Sequence, residues 1–245
     1  MYTNPPLAPD VVAGAGAVSA NLLSYRNFYN DIGGALGQIN LWFDSVNVNS
    51  GISQGSYEAL FLLCIRAGAG TNTSVRQVLV NGSEATNIKQ GIQDTLNSSA
   101  WHIELAEGTS SAIVSVSMAA SGDARHGTMS SWVVHSPNLT PSFIAAATSG
   151  TSGASNNHML TQAIPASAEA AYQTNIFGNV SIAASATWGG ATLQEDWSGN
   201  GAVLTTAKVS ASGVTRASHD VSCAFGQTMS GTVESQIIGV VVSGG

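Results

Sequence analysis

Beyond Asn40 the apolar side chains come in short blocks, many alternating with small polar ones, and clusters of Gly, Asn, Ser and Pro divide the blocks. That rhythm predicts β-strands rather than helices. The candidate strands are 39–46, 57–67, 74–80, 101–105, 112–118, 129–135, 171–177, 180–188, 202–211, 219–225 and 235–242. In 219–225, Val221, Cys223 and Phe225 share one face while Asp220, Ser222 and Ala224 share the other, the signature of a half-buried antiparallel strand. Residues 239–242 read as a strand buried on both faces. The run YEALFLLCIRA (57–67) has helix propensity as well; its unbroken apolar character and the strand pattern behind it favour a strand.

Residues 1–50 follow another pattern. Pro5, Pro6 and Pro9 hold the start extended, and Gly and Ala dominate as far as Ala17. Ser19 is placed to cap a short helix with Leu22, Tyr25, Tyr29 and Ile32 on one stripe, closed by Gly33-Gly34. Such a helix either folds against its own domain or forms an anchor arm whose Leu22, Tyr25, Phe28 and Tyr29 dock on a neighbouring subunit.

So many short strands and so little helix predict an all-β chain. The expected architecture is an antiparallel β-sandwich, jelly-roll-like, over 51–245, preceded by the N-terminal arm with its short helix over 1–50. Sliding the sequence by 107 residues sets VNGSEAT over TWGGATL, VSVSM over VSCAF and WVVHS over GVVVS. The identities are few, and shared strand periodicity accounts for them more simply than duplication. The echo still predicts two similarly built halves, about 51–136 and 169–245, joined by a long polar crossover loop with some structure of its own.

Charge changes the picture of the surface. Only 9% of residues are charged, with 44% hydrophobic, against about a quarter charged in ordinary globular proteins. Low charge with this much apolar residue argues against disorder. Ser, Thr, Asn, Gly and Ala stand where Lys and Glu would normally be; the stretch GTSSAIVSVSMAASG (108–122) has no charge at all. Neutral hydroxyls and amides keep a sheet face wet and can be buried in flat contacts without desolvating ions. The net charge is −7, and the seven basic residues are scattered at Arg26, Arg66, Arg76, Lys89, Arg125, Lys208 and Arg216. Without a basic cluster, nucleic acid and anionic membrane surfaces are excluded as partners. No run is long and apolar enough for a spanning helix, and the N-terminus lacks the basic region of a secretory signal. The N-x-S/T sequons at Asn72, Asn81, Asn97, Asn138 and Asn179 are then by-products of composition. Cys64 and Cys223 each sit in an apolar run, which predicts buried free thiols over a disulfide, although pairing depends on Cα separation.

Candidate chemistry is thin. GISQG (51–55) matches the G-x-S-x-G elbow that would make Ser53 a nucleophile, but the elbow needs a strand before it and a helix after it in a parallel sheet. His102 and Glu104 share a strand face and, with Asp123 and His126, could ligate a metal; a solvated strand face explains them more simply. His219 and Asp220 are adjacent and point to opposite faces. Glu195-Asp196 lie in a turn-rich stretch with no assigned partner for a paired-carboxylate glycosidase. No catalytic residue, metal site or cofactor follows from these residues.

The best binding candidate is the loop around ATWGGATLQEDWSGNG. Trp188 and Trp197 flank Gln194, Glu195, Asp196 and Asn200, combining aromatic faces that stack on sugars with groups that bond their hydroxyls. Alternatively the tryptophans are core, since large aromatics are highly buried on average. Trp132, in SSWVV, reads as core.

ALFLLCIRAG followed by SVRQVLVNGSEAT, then AWHIELAEGTSSAIVSVSMAASG and MSSWVVHS, with ATWGGATLQEDW and the closing strands, resembles a β-sandwich module of phage virion and prophage-encoded surface proteins. The resemblance covers about four-fifths of the chain. It implies a jelly-roll or lectin-like sandwich on a phage particle, as a fibre, spike or decoration protein. The partners it implies are other virion proteins, further copies of the chain and host surface carbohydrate. No catalytic residues carry over from it. The leading expectation is therefore a non-enzymatic virion surface protein. The alternatives are a polysaccharide depolymerase, with Glu195, Asp196, Glu104 and Asp123 as its carboxylates, and a capsid or tail cement with no ligand.

Overall fold

The computed structural model describes residues 19–29, 37–47, 56–67, 74–93, 96–106, 109, 111–120, 124–136, 141–152, 157–177, 186–199, 202–226 and 234–244. Among these the regular structure is strand only, and every pairing is antiparallel. The first half comprises β1 (Ser19–Tyr29), β2 (Gly37–Asn47), β3 (Ser56–Ala67), β4 (Ser74–Val80), β5 (Ser83–Glu84), β6 (Thr86–Gln93), β7 (Leu96–Leu105), β8 (Ser111–Ala120) and β9 (Ala124–Ser136). The second comprises β10 (Pro141–Ser152), β11 (Asn157–Ile164), β12 (Ala168–Phe177), β13 (Ala186–Gly189), β14 (Thr192–Gly199), β15 (Ala202–Val209), β16 (Arg216–Phe225) and β17 (Glu234–Gly244).

The two halves are wound alike. One sheet of the first half runs β1-β9-β3-β7-β6 and the corresponding sheet of the second runs β10-β17-β12-β15-β14. The other sheets run β2-β8-β4-β5 and β11-β16-β13. In each half the first strand lies beside the last, and the chain crosses between two sheets in the double Greek key of a jelly roll. The strand order of each pair of sheets is thus that of a jelly roll. A slide of 107 residues brings inward positions of β8 onto inward positions of β16, Val114 and Val116 onto Val221 and Cys223. In β9 and β17 the same slide sets Trp132, which faces the other half, over Gly239, which faces its own core. The halves differ in loop lengths and bulges, so no ungapped slide aligns them.

The sheets stack in four layers. Trp132, Val134 and Ala100 of the first half form one buried cluster with Ala171, Ile238, Val240 and Val242 of the second, so the inner sheets pack face to face. Each large aliphatic side chain buried there contributes about 1.5–3 kcal/mol. Strands of the inner sheets are covered on both faces: β9 is buried throughout 128–134, β12 throughout 168–176 and β17 throughout 235–242. That double burial explains the continuous apolar run at the C-terminus. On its far side the second inner sheet packs on the second outer sheet. There Tyr172, Ala170, Ile237 and Val241 meet Leu160, Ile164 and Val221, and Val203 and Ile176 meet Cys223 and Phe225. β16 buries Val221, Cys223 and Phe225 and leaves Ser222 and Ala224 half-buried, the alternation read from the sequence.

A polar ladder crosses the seam between the halves. Trp132 Nε1 donates to Ser130 Oγ (3.2 Å), Ser130 N–H and Oγ–H both donate to Gln173 Oε1, Gln173 Nε2 donates to Asn175 Oδ1 (2.5 Å), and Asn175 Nδ2 donates to Thr128 Oγ1. Two-residue spacing puts Thr128, Ser130 and Trp132 on one face of β9, and Gln173 and Asn175 on one face of β12. All five side chains are fully buried, where an unmade bond costs more than a made one contributes.

Several expectations are corrected. The segment expected as a helix is the strand β1, paired to β9 with Leu22 opposite Trp132, Tyr25 opposite Ser130, Phe28 opposite Gly127 and Tyr29 opposite His126. A bulge between Leu22 and Ser24 interrupts two-residue alternation and leaves a helix-like spacing. Ile32 and Gly33-Gly34 lie outside the described residues, as does the 51–55 motif with Ser53. The long connection between the halves is largely strand, β10 and β11, and the stretch holding Glu195-Asp196 is strand β14.

Candidate functional site

Trp188 sits on β13, packed on both apolar clusters of the second core. Its indole N–H donates to Thr205 Oγ1 (2.9 Å) and its ring lies 6.5 Å from that of Tyr172, tilted by 48°. These contacts pack the half-buried ring against the core of the second half. Gln194 folds back on its own strand, donating to the carbonyls of Thr192 and Leu193. Asp196, exposed, accepts from Ala186 N at 3.4 Å. Glu195 and Asp196 stand opposite Thr206 and Thr205, and Trp197 opposite Leu204. Asn200 lies outside the described residues.

The carboxylates weighed for glycosidic chemistry are not gathered by the fold: Glu104 is exposed on β7 of the first half, Glu195 and Asp196 are on β14 of the second, and Asp123 lies outside the described residues. Among the described residues no three His, Cys, Asp or Glu side chains gather as a metal site. Cys223 is a buried free thiol on the second outer sheet, whereas Cys64 belongs to β3 of the first inner sheet.

What the fold does assemble is an open cleft of about 490 Å³ at one end of the second jelly roll. Its walls are the β13–β14 turn (Gly190, Ala191) with Thr192, the end of β15 and the loop beyond it (Lys208, Val209, Ser210, Ala211, Ser212), and Arg216 and His219 on β16. Antiparallel pairing sets Thr192 opposite Lys208. Gly190 has φ +74°, and a Cβ there would meet the Asp220 carbonyl oxygen at 2.2 Å. Only glycine lets the turn press so closely on β16. His219 Nε2 lies 2.6 Å from the Gly190 carbonyl oxygen; a carbonyl only accepts, so Nε2 carries the proton. The loop is tied down by Gly213 N–H donating to the Ala166 carbonyl (3.1 Å) and Ser212 Oγ–H to that of Val214 (3.2 Å).

Two of the chain's seven Lys and Arg residues line this cleft, with a histidine and no carboxylate. Sequence reading missed it because Lys208 and Arg216 are eight positions apart and lie on strands of different sheets, brought to one end of the second half by the loop between β15 and β16. The available signal was two cations and a histidine within 208–219 around the turn-forming SASGV. In the first half the matching turn, Asn81-Gly82, has φ +51° and +83°, the geometry of a type I′ hairpin. Asn81 fastens it to β8: its N–H donates to the Ile113 carbonyl (2.9 Å) and its Oδ1 accepts from Ile113 N–H (2.8 Å).

Compared with known proteins, the chain matches no family model, no curated protein and no solved structure.

Proposed function

We propose that the protein is a non-enzymatic structural component of a phage particle surface, of fibre, spike or decoration type, which associates with other virion proteins and with copies of itself. The observation that carries this reading is the outward face of the second outer sheet. It presents Asn157, Met159, Thr161 and Ala163 of β11, Thr187 of β13 and the half-buried Ser222 and Ala224 of β16, all neutral. The acid beside them, Asp220, accepts a hydrogen bond from Thr161 Oγ1 at 2.6 Å. On β8 the exposed Ile113 shares a side with the buried Ser115 and Ser117, all uncharged. Interface cores are depleted in charge because desolvating ions opposes association. Jelly rolls serve in viral capsids and in lectins alike, so the fold supports the reading and the faces give it direction.

Placing acids on that face tests it. Met159→Glu with Ala163→Glu changes two exposed side chains, and surface changes of this kind shift stability by only about 0.5 kcal/mol. The doubly substituted chain is expected to fold normally yet enter purified particles about tenfold less well. Undiminished incorporation contradicts the proposal, as does absence of the unaltered protein from the particles.

A further inference from the structure

We propose that Asn81-Gly82, the turn between β4 and β5, is a site of spontaneous deamidation that the fold holds closed by clamping the turn to β8. The inference concerns a covalent change in the isolated chain and does not rest on the structural role proposed above.

The residue pair supplies the chemistry. Gly82 has no side chain to shield its backbone nitrogen, and both residues are exposed, so water and solvent base reach them. A Cβ built on Gly82 would meet nothing within 4 Å. Once base removes the Gly82 amide proton, that nitrogen attacks Asn81 Cγ. The new N–Cγ bond closes a cyclic imide, and Nδ2 takes a proton from solvent and leaves as ammonia. Water then opens the imide. Addition at Cγ gives aspartate; addition at the main-chain carbonyl gives isoaspartate, whose backbone runs through Cβ. The net exchange is one water consumed and one ammonia released, with no oxidant or reductant. Isoaspartate lengthens the loop by one backbone atom and so breaks the register that a two-residue turn sets between Val80 and Ser83.

Geometry decides the rate. Asn81 has φ +51° and Gly82 +83°, both left-handed. In that region ψ is about +47°, which places the Asn Cβ nearly trans to the following nitrogen across the Cα–C bond. Ring closure needs the two on the same side, with the reacting atoms about 3–3.5 Å apart. The backbone must therefore swing about ψ, against the Val80–Ser83 and Leu79–Glu84 pairing. Two bonds to β8 add to the restraint: Asn81 N–H donates to the Ile113 carbonyl (2.9 Å), and Ile113 N–H donates to Asn81 Oδ1 (2.8 Å). The second bond would stabilise negative charge growing on Oδ1 during attack. The swing that permits attack draws Oδ1 away from Ile113, so the clamp retards the reaction instead of assisting it.

The test incubates the full-length chain at mildly alkaline pH, in native buffer and in denaturant. Peptide mapping follows the amide-to-acid mass gain and separates Asn81 from the chain's other Asn-Gly pair, 200–201. Asn81 is expected to convert in denaturant and at least about tenfold more slowly in the native chain, where reaction waits on local opening. Ile113→Pro deletes the N–H that holds Oδ1 and should speed conversion in native buffer by about tenfold. A urea series needs no variant: below the unfolding transition, conversion at Asn81 and hydrogen exchange at the Ile113 amide should rise in parallel. An Asn81 inert in denaturant overturns the proposal. So do conversion as fast in the native chain as in denaturant, a folded Ile113→Pro chain that converts no faster, or conversion that stays flat while Ile113 exchange rises.

Discussion

Tyr172 fills the space that a side chain at position 239 would occupy. A Cβ built on Gly239 would lie 2.6 Å from Tyr172 Cδ1 and Cε1 and 2.8 Å from Gln162 Oε1. The two residues stand opposite each other in the β12–β17 pairing, and Gln162 Nε2 donates to the Gly239 carbonyl at 3.3 Å. Gly239→Ala should therefore destabilise the protein by about 1–3 kcal/mol through overpacking. Adding Tyr172→Leu should recover part of that loss in thermal melts, because the ring and the new methyl compete for one volume.

The polar ladder across the seam should make the two halves unfold together. Removing the amide with Gln173→Ala strands the Ser130 N–H and Asn175 Oδ1 inside the seam, at about 1–3 kcal/mol for each group left unsatisfied. Differential scanning calorimetry should then show one transition for the native chain and two for the variant. A single, unshifted transition in the variant would deny the ladder its coupling role.

His158 predicts an acid sensitivity. It is 3% exposed, its ring 6.4 Å from that of Phe225 and edge-on to it, and burial lowers its pKa to about 4. The unfolded chain, with an ordinary histidine near 6.5, takes up the proton first as pH falls. The stability His158 allows is full above about pH 6.5, declines as pH drops towards 4 and levels off below, a span of roughly 3 kcal/mol. Denaturant titrations of His158→Leu should give a shallower pH dependence across that window than the native chain.

Cys223 should be chemically silent. Burial pushes its thiol up to about 12, the charge of Asp196 adds to the rise, and a hydrogen bond with Thr174 opposes it. At pH 8 the thiolate needed for attack is scarce and shielded. A thiol reagent followed by peptide mass mapping should label Cys223 only in denaturant. Rapid labelling of the folded chain would mean that the outer sheet opens.

The sequence disclosed strands wherever one face was apolar and the other small or polar. Ser74–Val80 and the alternation of β16 were read directly, and the apolar run of β17 announced burial on both faces. β11 escaped because two of its inward positions are His158 and Gln162, which mask a regular alternation of buried and exposed residues. β14 is the edge strand of its sheet, with exposed Thr192, Leu193 and Asp196 and half-buried Gln194 and Glu195, so no apolar stripe marked it. β1 was misread through its bulge. Of the candidate site, Trp188 was found by residue type but its core position was set by Thr205, a partner no local pattern predicts. The cleft became visible only when the loop between β15 and β16 brought Lys208 and Arg216 to one end of the second half.

The central claim, a proposal, is that this chain is a contact-making building block that meets other virion subunits through the largely uncharged outward face of β11 and β16. Electron cryomicroscopy of the intact particle tests it most directly. Four stacked sheets of this chain on the particle exterior, with β11 and β16 seated against a neighbouring subunit, are the predicted result. Particles that lack the chain, or that carry it with that face turned wholly to solvent, would contradict the claim.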